Sequence, residues 1–239
     1  MTIPDSRLPI PVTSGLPPVI TVDGPSGVGK GTATRWLAQR LGWHRLDSGA
    51  LYRLAAIAVD NAGVSNDDVQ SIAALCRRLD VEFSADGGKE RVRLNGEDVT
   101  AQLRQESVGE WASIISAHLD VRQALLTQQQ QCRRAPGLVA DGRDMGTVVF
   151  TDAGLKIFLD ASAEERARRR WSQLSASGVN AKLADLHANV CARDERDRTR
   201  TTAPLRPADD AVVIDTTRLS AAEVEGRIED LLLQSGFGR

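Results

Sequence analysis

The chain is 239 residues long, enough to bury the core of one α/β domain with insertions. Its formal net charge of -2 argues against a nucleic-acid coat or a membrane-surface role. No run approaches the roughly 18 apolar residues of a membrane helix, so the partners expected are small molecules, with no nucleic acid and no membrane.

Residues 1–17, polar and rich in proline, read as a loosely ordered extension and not as a signal peptide. A folded domain is expected over 18–234. Val19-Ile20-Thr21-Val22 reads as a buried strand, and Gly24, Pro25, Ser26, Gly27, Val28, Gly29, Lys30, Gly31 and Thr32 follow it at the mouth of a helix through Trp36, Leu37 and Leu41. In that setting the glycines turn backbone N–H groups toward phosphate oxygens, the helix N-terminus adds partial positive charge, and Lys30 reaches the β- and γ-phosphates. The stretch is therefore assigned to a nucleoside triphosphate. Gly31 stands where most such loops carry a hydroxyl, which leaves Thr32 as the nearest hydroxyl for a magnesium ion.

Trp43–Leu46 reads as the second strand, ending in Leu46-Asp47-Ser48-Gly49-Ala50-Leu51-Tyr52-Arg53 at the crevice end of an open sheet. Ser65-Asn66-Asp67-Asp68 is expected to start a helix with acids in its first turn and Val69, Ile72, Cys76 and Leu79 on one face. Val81-Glu82-Phe83 and Val92-Arg93-Leu94 alternate apolar and polar about Asp86-Gly87-Gly88, the pattern of a β-hairpin, and Asn95-Gly96-Glu97 marks a second turn. A small antiparallel module inserted in a parallel core suggests a second, mobile binding unit.

Leu138–Ala140, Leu155–Leu159 and Ala211–Ile214 complete five parallel strands of a doubly wound α/β sheet. The third ends in Asp141-Gly142-Arg143-Asp144; Asp141 is a candidate to orient magnesium or its waters, and the Arg-Asp pair suits a ligand clamp better than a surface salt bridge. Ser162-x-x-Glu165 and Ser220-x-x-Glu223 read as capping boxes. Two basic runs, 166–170 and 193–200, flank a break at Gly178-Val179-Asn180 where a short lid can hinge. The second mixes signs as a solvated helix face does, yet a phosphoryl-transfer enzyme needs arginine forks for two facing phosphates. Cys76, Cys132 and Cys191 have no metal or redox spacing and read as reduced thiols of a cytoplasmic protein. His44, His118 and His187 are as scattered and read as packing or surface residues.

Gly-Pro-Ser-Gly-Val-Gly-Lys-Gly-Thr at 24–32, Leu-Asp-Ser-Gly-Ala-Leu-Tyr-Arg at 46–53, Asp-Gly-Arg-Asp-Met-Gly-Thr-Val-Val-Phe at 141–150, Lys-Ile-Phe-Leu-Asp-Ala at 156–161 and Arg-Asp-Arg-x-Arg at 196–200 resemble the bacterial cytidylate kinases. These are nucleoside-monophosphate kinases of the P-loop class, and the likeness runs in order over about residues 18–234. It implies a monomeric enzyme that uses ATP and magnesium to convert CMP or dCMP to CDP or dCDP. It further implies that Ser113, Arg122 and Asp144 read cytosine, that Arg193 and Asp197 hold the sugar, and that Arg53, Arg143 and Arg200 clamp the CMP phosphate beside Ser48. Catalysis then falls to Lys30, Arg143 and Arg200. Residues 75–120 become a monophosphate-binding module, and 168–185 a short lid with Arg168 and Arg169 as its arginines. Two rivals remain at this stage: a P-loop kinase with another small acceptor, such as UMP or an alcohol, and a nucleotide-binding switch that hydrolyses slowly.

Overall fold

The computed structural model describes residues 15–65, 67–86 and 89–237. Gly87 and Gly88 of the expected hairpin turn, and most of the 1–17 segment, lie outside them. All five expected core strands are present, displaced at their ends by one or two residues: β1 (Val19–Asp23), β2 (His44–Asp47), β6 (Leu138–Gly142), β7 (Leu155–Asp160) and β8 (Val212–Asp215). They form one parallel sheet in the order β2-β6-β1-β7-β8.

Alternation along the strands divides the core in two. Val19, Leu138 and Ala140 pack with α2 (Ser48–Asn61) and α5 (Leu119–Gln131); Ile20, Val22, Val139, Ile157 and Leu159 pack with α1 (Lys30–Leu41) and α8 (Ala221–Gln234). A strand buried on both faces in this way must read as a continuous apolar run, as these do. The carboxyl ends of β1, β2 and β6 then open into one crevice.

Between β2 and β6 lies the antiparallel insertion: β3 (Val81–Asp86), β4 (Lys89–Leu94) and β5 (Glu97–Asp98) form a separate three-stranded sheet. The turn into β5 uses Asn95 and Gly96 with φ of 51 and 84°, a left-handed pair of the kind that Asn-Gly supplies. α3 (Val69–Arg77) precedes the insertion and α4 (Glu106–Ile115) follows it. α3 starts later than the sequence suggests. Asp68 is its N-cap, accepting from Ser71 N at 3.0 Å, so the acids stand before the first turn instead of in it.

α6 (Ala163–Ala176) and α7 (Leu183–Thr199) are joined through Gly178, φ 77°, at the expected break. The Ser220 box is complete, but the Ser162 one is half made. Ser162 accepts from Glu165 N at 3.2 Å, while the Glu165 carboxylate is turned onto Arg168 and Arg169. No helix among the described residues is long and apolar enough to cross a membrane.

Candidate active site

The phosphate loop fills the turn from β1 to α1. Gly24, with φ 144°, runs so close to β7 that a Cβ would lie 2.0 Å from the Leu159 carbonyl oxygen, so no other residue fits there. Lys30 opens α1 and is buried, its Nζ donating to the carbonyls of Gly24 and Pro25 at 2.8 and 2.7 Å. Burial, and then the like charge of Arg143, bring its pKa down to about 7. A cation held this way has most to gain from a phosphate anion.

Gly31 faces Asp141, whose Oδ2 lies 4.0 Å from where a Cβ would stand. Thr32 is exposed, and the buried hydroxyl beside Asp141 belongs instead to Thr34, Oγ1 to Oδ2 3.4 Å. Burial raises the Asp141 carboxyl to about 6. Among the described residues there is no cluster of three metal-binding side chains. One carboxylate in front of a triphosphate site is a donor set that fits magnesium, which keeps its waters and takes substrate oxygens, and fits no metal needing a protein cage.

Asp23, at the end of β1, accepts from the backbone N–H groups of Met145 and Gly146 at 2.9 and 2.8 Å. It thereby caps the single π-helical turn Met145–Val149 that carries Asp144 at its head. Burial lifts the Asp23 pKa from 3.8 to about 7. The folded state then binds more protons than the unfolded one between those values, so Asp23's contribution to stability falls as pH rises through 7. Asp23→Asn removes that titration. Its stability relative to wild type is expected to improve on going from pH 5 to pH 8, by on the order of 1 kcal/mol or more, in urea unfolding of the ligand-free protein. A difference that is flat with pH would contradict it.

Arg122, Asp144, Arg143, Arg193, Asp197 and Arg200 act on one another's charge, as their shared electrostatic neighbours show. Arg122 donates to the Ser116 carbonyl at 3.1 Å and forms a buried ion pair with Asp144, while its guanidinium carbon lies 5.7 Å over the Tyr52 ring. Arg143 Nε donates to Asp197 at 3.2 Å. Burial would raise the Asp197 carboxyl, but Arg143, Arg193 and Arg200 together hold it below its usual value. Burial, then Arg143, brings Arg193 down to about 10. Arg53 rests on the carbonyls of Leu103 and Gln105, both at 3.0 Å, and lies against α4 where Gly109 leaves room. Ser48 Oγ accepts from Gln129 Nε2 at 2.7 Å.

Several buried polar atoms here have no protein partner: Arg193 Nε, Arg200 Nη2, Ser113 Oγ and the Tyr52 hydroxyl. Burying such donors unpaired costs about 1–3 kcal/mol each unless a ligand meets them. Tyr52→Phe is therefore expected to leave the ligand-free protein as stable or up to about 1 kcal/mol more stable, read in urea unfolding; a marked loss would mean that the hydroxyl has a partner in the fold.

The structure thus brings together Lys30, Arg53, Arg122, Arg143, Asp144, Arg193, Asp197 and Arg200, with Ser113 linked to Arg122 through Ser116, and leaves two expected lid residues apart. Arg168 is exposed on Glu165, and Arg169 is turned onto Thr216, 2.6 Å from its carbonyl oxygen. Arg170, passed over in the sequence, instead bridges to Glu106 at the start of α4. Asp23 was legible in principle as a carboxylate at a strand end; Gln129, inside a glutamine run, and Arg166, inside an arginine run, carried no distinguishing signal. A cavity of about 590 Å³ lined by Asp160, Arg166, Asp194, Arg198 and Asp215 adjoins the phosphate loop, whose Ser26 carbonyl accepts from Arg166 at 3.2 Å; none of the clustered residues lines it.

A phosphate loop after the first strand of this five-stranded parallel sheet, with a bank of arginines around it that are buried or half-buried, defines a P-loop kinase. The family model for cytidylate kinase matches residues 20–234. The cytidylate kinase of Stutzerimonas stutzeri is 57% identical over 88% of this chain and 93% of its own, and that of Photobacterium profundum 54% over 87% and 91%. Among solved structures, TT1252 from Thermus thermophilus aligns with 91% of this chain and 97% of its own at 22% identity and a TM-score of 0.44. A shikimate kinase from Bacteroides thetaiotaomicron aligns with 90% and 98% at 13% identity and a TM-score of 0.42. The chain belongs to the cytidylate kinase family.

Proposed function

We propose that the clustered side chains divide the two substrates as follows. The reaction transfers the γ-phosphoryl of ATP to CMP or dCMP, giving ADP and CDP or dCDP. ATP lies in the loop 24–32 with Lys30 on its phosphates. Ser113, Arg122 and Asp144 read the cytosine, Arg193 and Asp197 the sugar, and Arg53, Arg143 and Arg200 the monophosphate, with Ser48 lining its site. The observation that carries this assignment is the set of buried, unpartnered donor atoms on Arg193, Arg200 and Ser113, with Arg193 close enough to Lys30 to lower its pKa. Donors so placed favour an anionic, hydrogen-bonding ligand.

The nucleophile is a phosphate oxygen of the acceptor, already anionic near neutral pH, so no strong general base is needed. An alcohol acceptor would need one. Catalysis is in-line positioning plus neutralisation of charge by Lys30, Arg143 and Arg200. Magnesium, held beside Asp141 directly or through water, supplies further charge neutralisation when bound. Thr32, exposed at the loop's edge, is left to the ATP phosphates. Residues 75–120 act as the closing module over CMP and 168–185 as the lid, excluding the water that would otherwise accept the phosphoryl group. In the lid, Arg170 takes the place of Arg168 and Arg169, because it alone of the three reaches the module, through Glu106.

An ADP-release assay with ATP and each of CMP, dCMP, UMP and AMP tests the reading. Turnover with CMP and dCMP is expected to exceed that with UMP at equal concentration by tenfold or more, an acceptor's missing hydrogen bond being worth at least that. Equal turnover with CMP and UMP would overturn the base-reading assignment. Tight ATP binding without acceptor-dependent turnover would favour a slow switch.

A further inference from the structure

Arg166, the fourth residue of α6, is only 2% exposed. Its Nε donates to the Ala161 carbonyl at 3.0 Å, at the end of β7. One terminal nitrogen is shared between the Ser26 carbonyl in the phosphate loop, at 3.2 Å, and Asp194 Oδ1, at 2.9 Å; the other closes a bidentate pair with Asp194 Oδ2. The loop also lies along the arginine's stem, since a Cβ on Gly27 would stand 3.2 Å from Arg166 Cβ. One buried fork therefore ties the phosphate loop to the middle of α7.

Asp194 follows Arg193 directly and lies one turn before Asp197, the two residues of α7 that face Arg143. A helix surface lies roughly 5–6 Å from its axis, so a rotation of about 10–20° would carry those side chains some 1–2 Å. An error of about 1 Å in placing reacting groups can cost about 10²-fold in rate. An apolar contact in place of the ion pair would hold α7 against α6 but would not fix its rotation. A planar, bidentate fork does. Stability alone gives no reason for the pair, because buried ion pairs are often replaced by apolar side chains of similar volume without loss.

We propose that the Arg166–Asp194 pair is a positioning device for phosphoryl transfer: it sets the acceptor-holding face of α7 against the phosphate loop. The inference rests on the acceptor assignment above. It deepens that reading, since neither residue touches a substrate in it.

The test uses the full chain and three variants: Arg166→Lys, Asp194→Asn and the apolar double replacement Arg166→Met with Asp194→Leu. Each is followed by thermal melting, by binding of a non-hydrolysable ATP analogue and of CMP, and by turnover. Turnover of the wild type with CMP is measured alongside, so failure of the acceptor reading itself is seen separately. The double variant leaves no unpaired buried charge, though it removes Arg166's donors to the Ala161 and Ser26 carbonyls, and is expected to fold and to melt somewhat below the wild-type temperature. It should bind the ATP analogue within about threefold of wild type, bind CMP about tenfold or more weakly, and turn over about 10- to 100-fold more slowly. Arg166→Lys keeps the charge without the fork and should fall between. Should the double variant fail to fold, Arg166→Lys and Asp194→Asn carry the test. CMP affinity and kcat within twofold of wild type, with only the melting temperature moved, would reduce the pair to a structural brace. An equal loss of analogue and CMP binding would also overturn the proposal, as it would mean that the phosphate loop itself had collapsed.

Discussion

Asp144→Asn is expected to lower kcat/KM for CMP by about 10²- to 10³-fold while leaving the KM for ATP within about threefold. The carboxylate is 2% exposed and faces the crevice with Arg122 as its ion-pair partner. Cytosine offers an amino group that a carboxylate accepts, where uracil offers a carbonyl. A buried carboxylate opposite that carbonyl would meet repulsion, which on the proposed reading supplies the selectivity. The amide of Asn has almost the same shape but presents a donor as well as an acceptor, so the preference for CMP over UMP should shrink together with the CMP rate. Asp144→Ala goes further. It strands the buried Arg122 guanidinium, a change of about 3–5 kcal/mol in comparable cases, so its larger loss must be read beside a melting curve. Steady-state kinetics with CMP, UMP and varied ATP decide the matter. Equal losses toward CMP and ATP, or an unchanged ratio of CMP to UMP use, would remove Asp144 from the base-reading role.

What could be read in advance follows from how local each constraint is. The central strands were legible because burial on both faces demands apolar runs, whereas the edge strands β2 and β8 are largely part-buried or exposed; the phosphate loop was legible because glycine at Gly24 is forced by contact with β7. The acceptor side was legible only through family likeness. Its signs alternate along α7 as on a solvated face, and nothing in spacing says that Asp194 and Asp197 are buried while Glu195 and Arg198 are exposed. The run 166–170 makes the point most sharply. Four arginines of identical chemistry occupy four environments: Arg166 under the phosphate loop on Asp194, Arg168 in solvent on Glu165, Arg169 on the Thr216 carbonyl, and Arg170 across to Glu106. Three of the four depend on a partner far along the chain, in α7, after β8 or in α4. Only Glu165, three and four residues away on the same helix, could have been foreseen. The same holds for the Ser162 cap: its backbone N–H donates to Thr217 Oγ1 at 3.0 Å, while Glu165 pairs with Arg168 and Arg169.

Lys30→Ala is expected to reduce kcat by about 10³-fold or more without unfolding the protein. The rate effect follows from the loss of a positive charge aimed at the phosphates from inside a low-dielectric site, where preorganised donors are worth most. Burial and Arg143 hold the folded-state pKa near 7 against 10.5 for the free side chain. The unfolded chain therefore binds the proton more readily, and the folded protein carries a penalty that is full below pH 7 and fades as pH rises toward 10.5. Removing the lysine removes that penalty together with the bonds of Nζ to the Gly24 and Pro25 carbonyls, so the stability of the ligand-free variant relative to wild type should fall as pH rises from 7 toward 10, read in urea unfolding. The same shift gives ATP binding a signature. Triphosphate charge beside Nζ restores its affinity for a proton, so at pH 8 the wild type should take up more protons on binding ATP than the variant does. Titration calorimetry in buffers of different ionisation enthalpy measures this directly. Equal proton uptake in the two proteins would mean that the Lys30 ammonium does not meet the phosphates, and retained turnover in the variant would remove it from catalysis altogether.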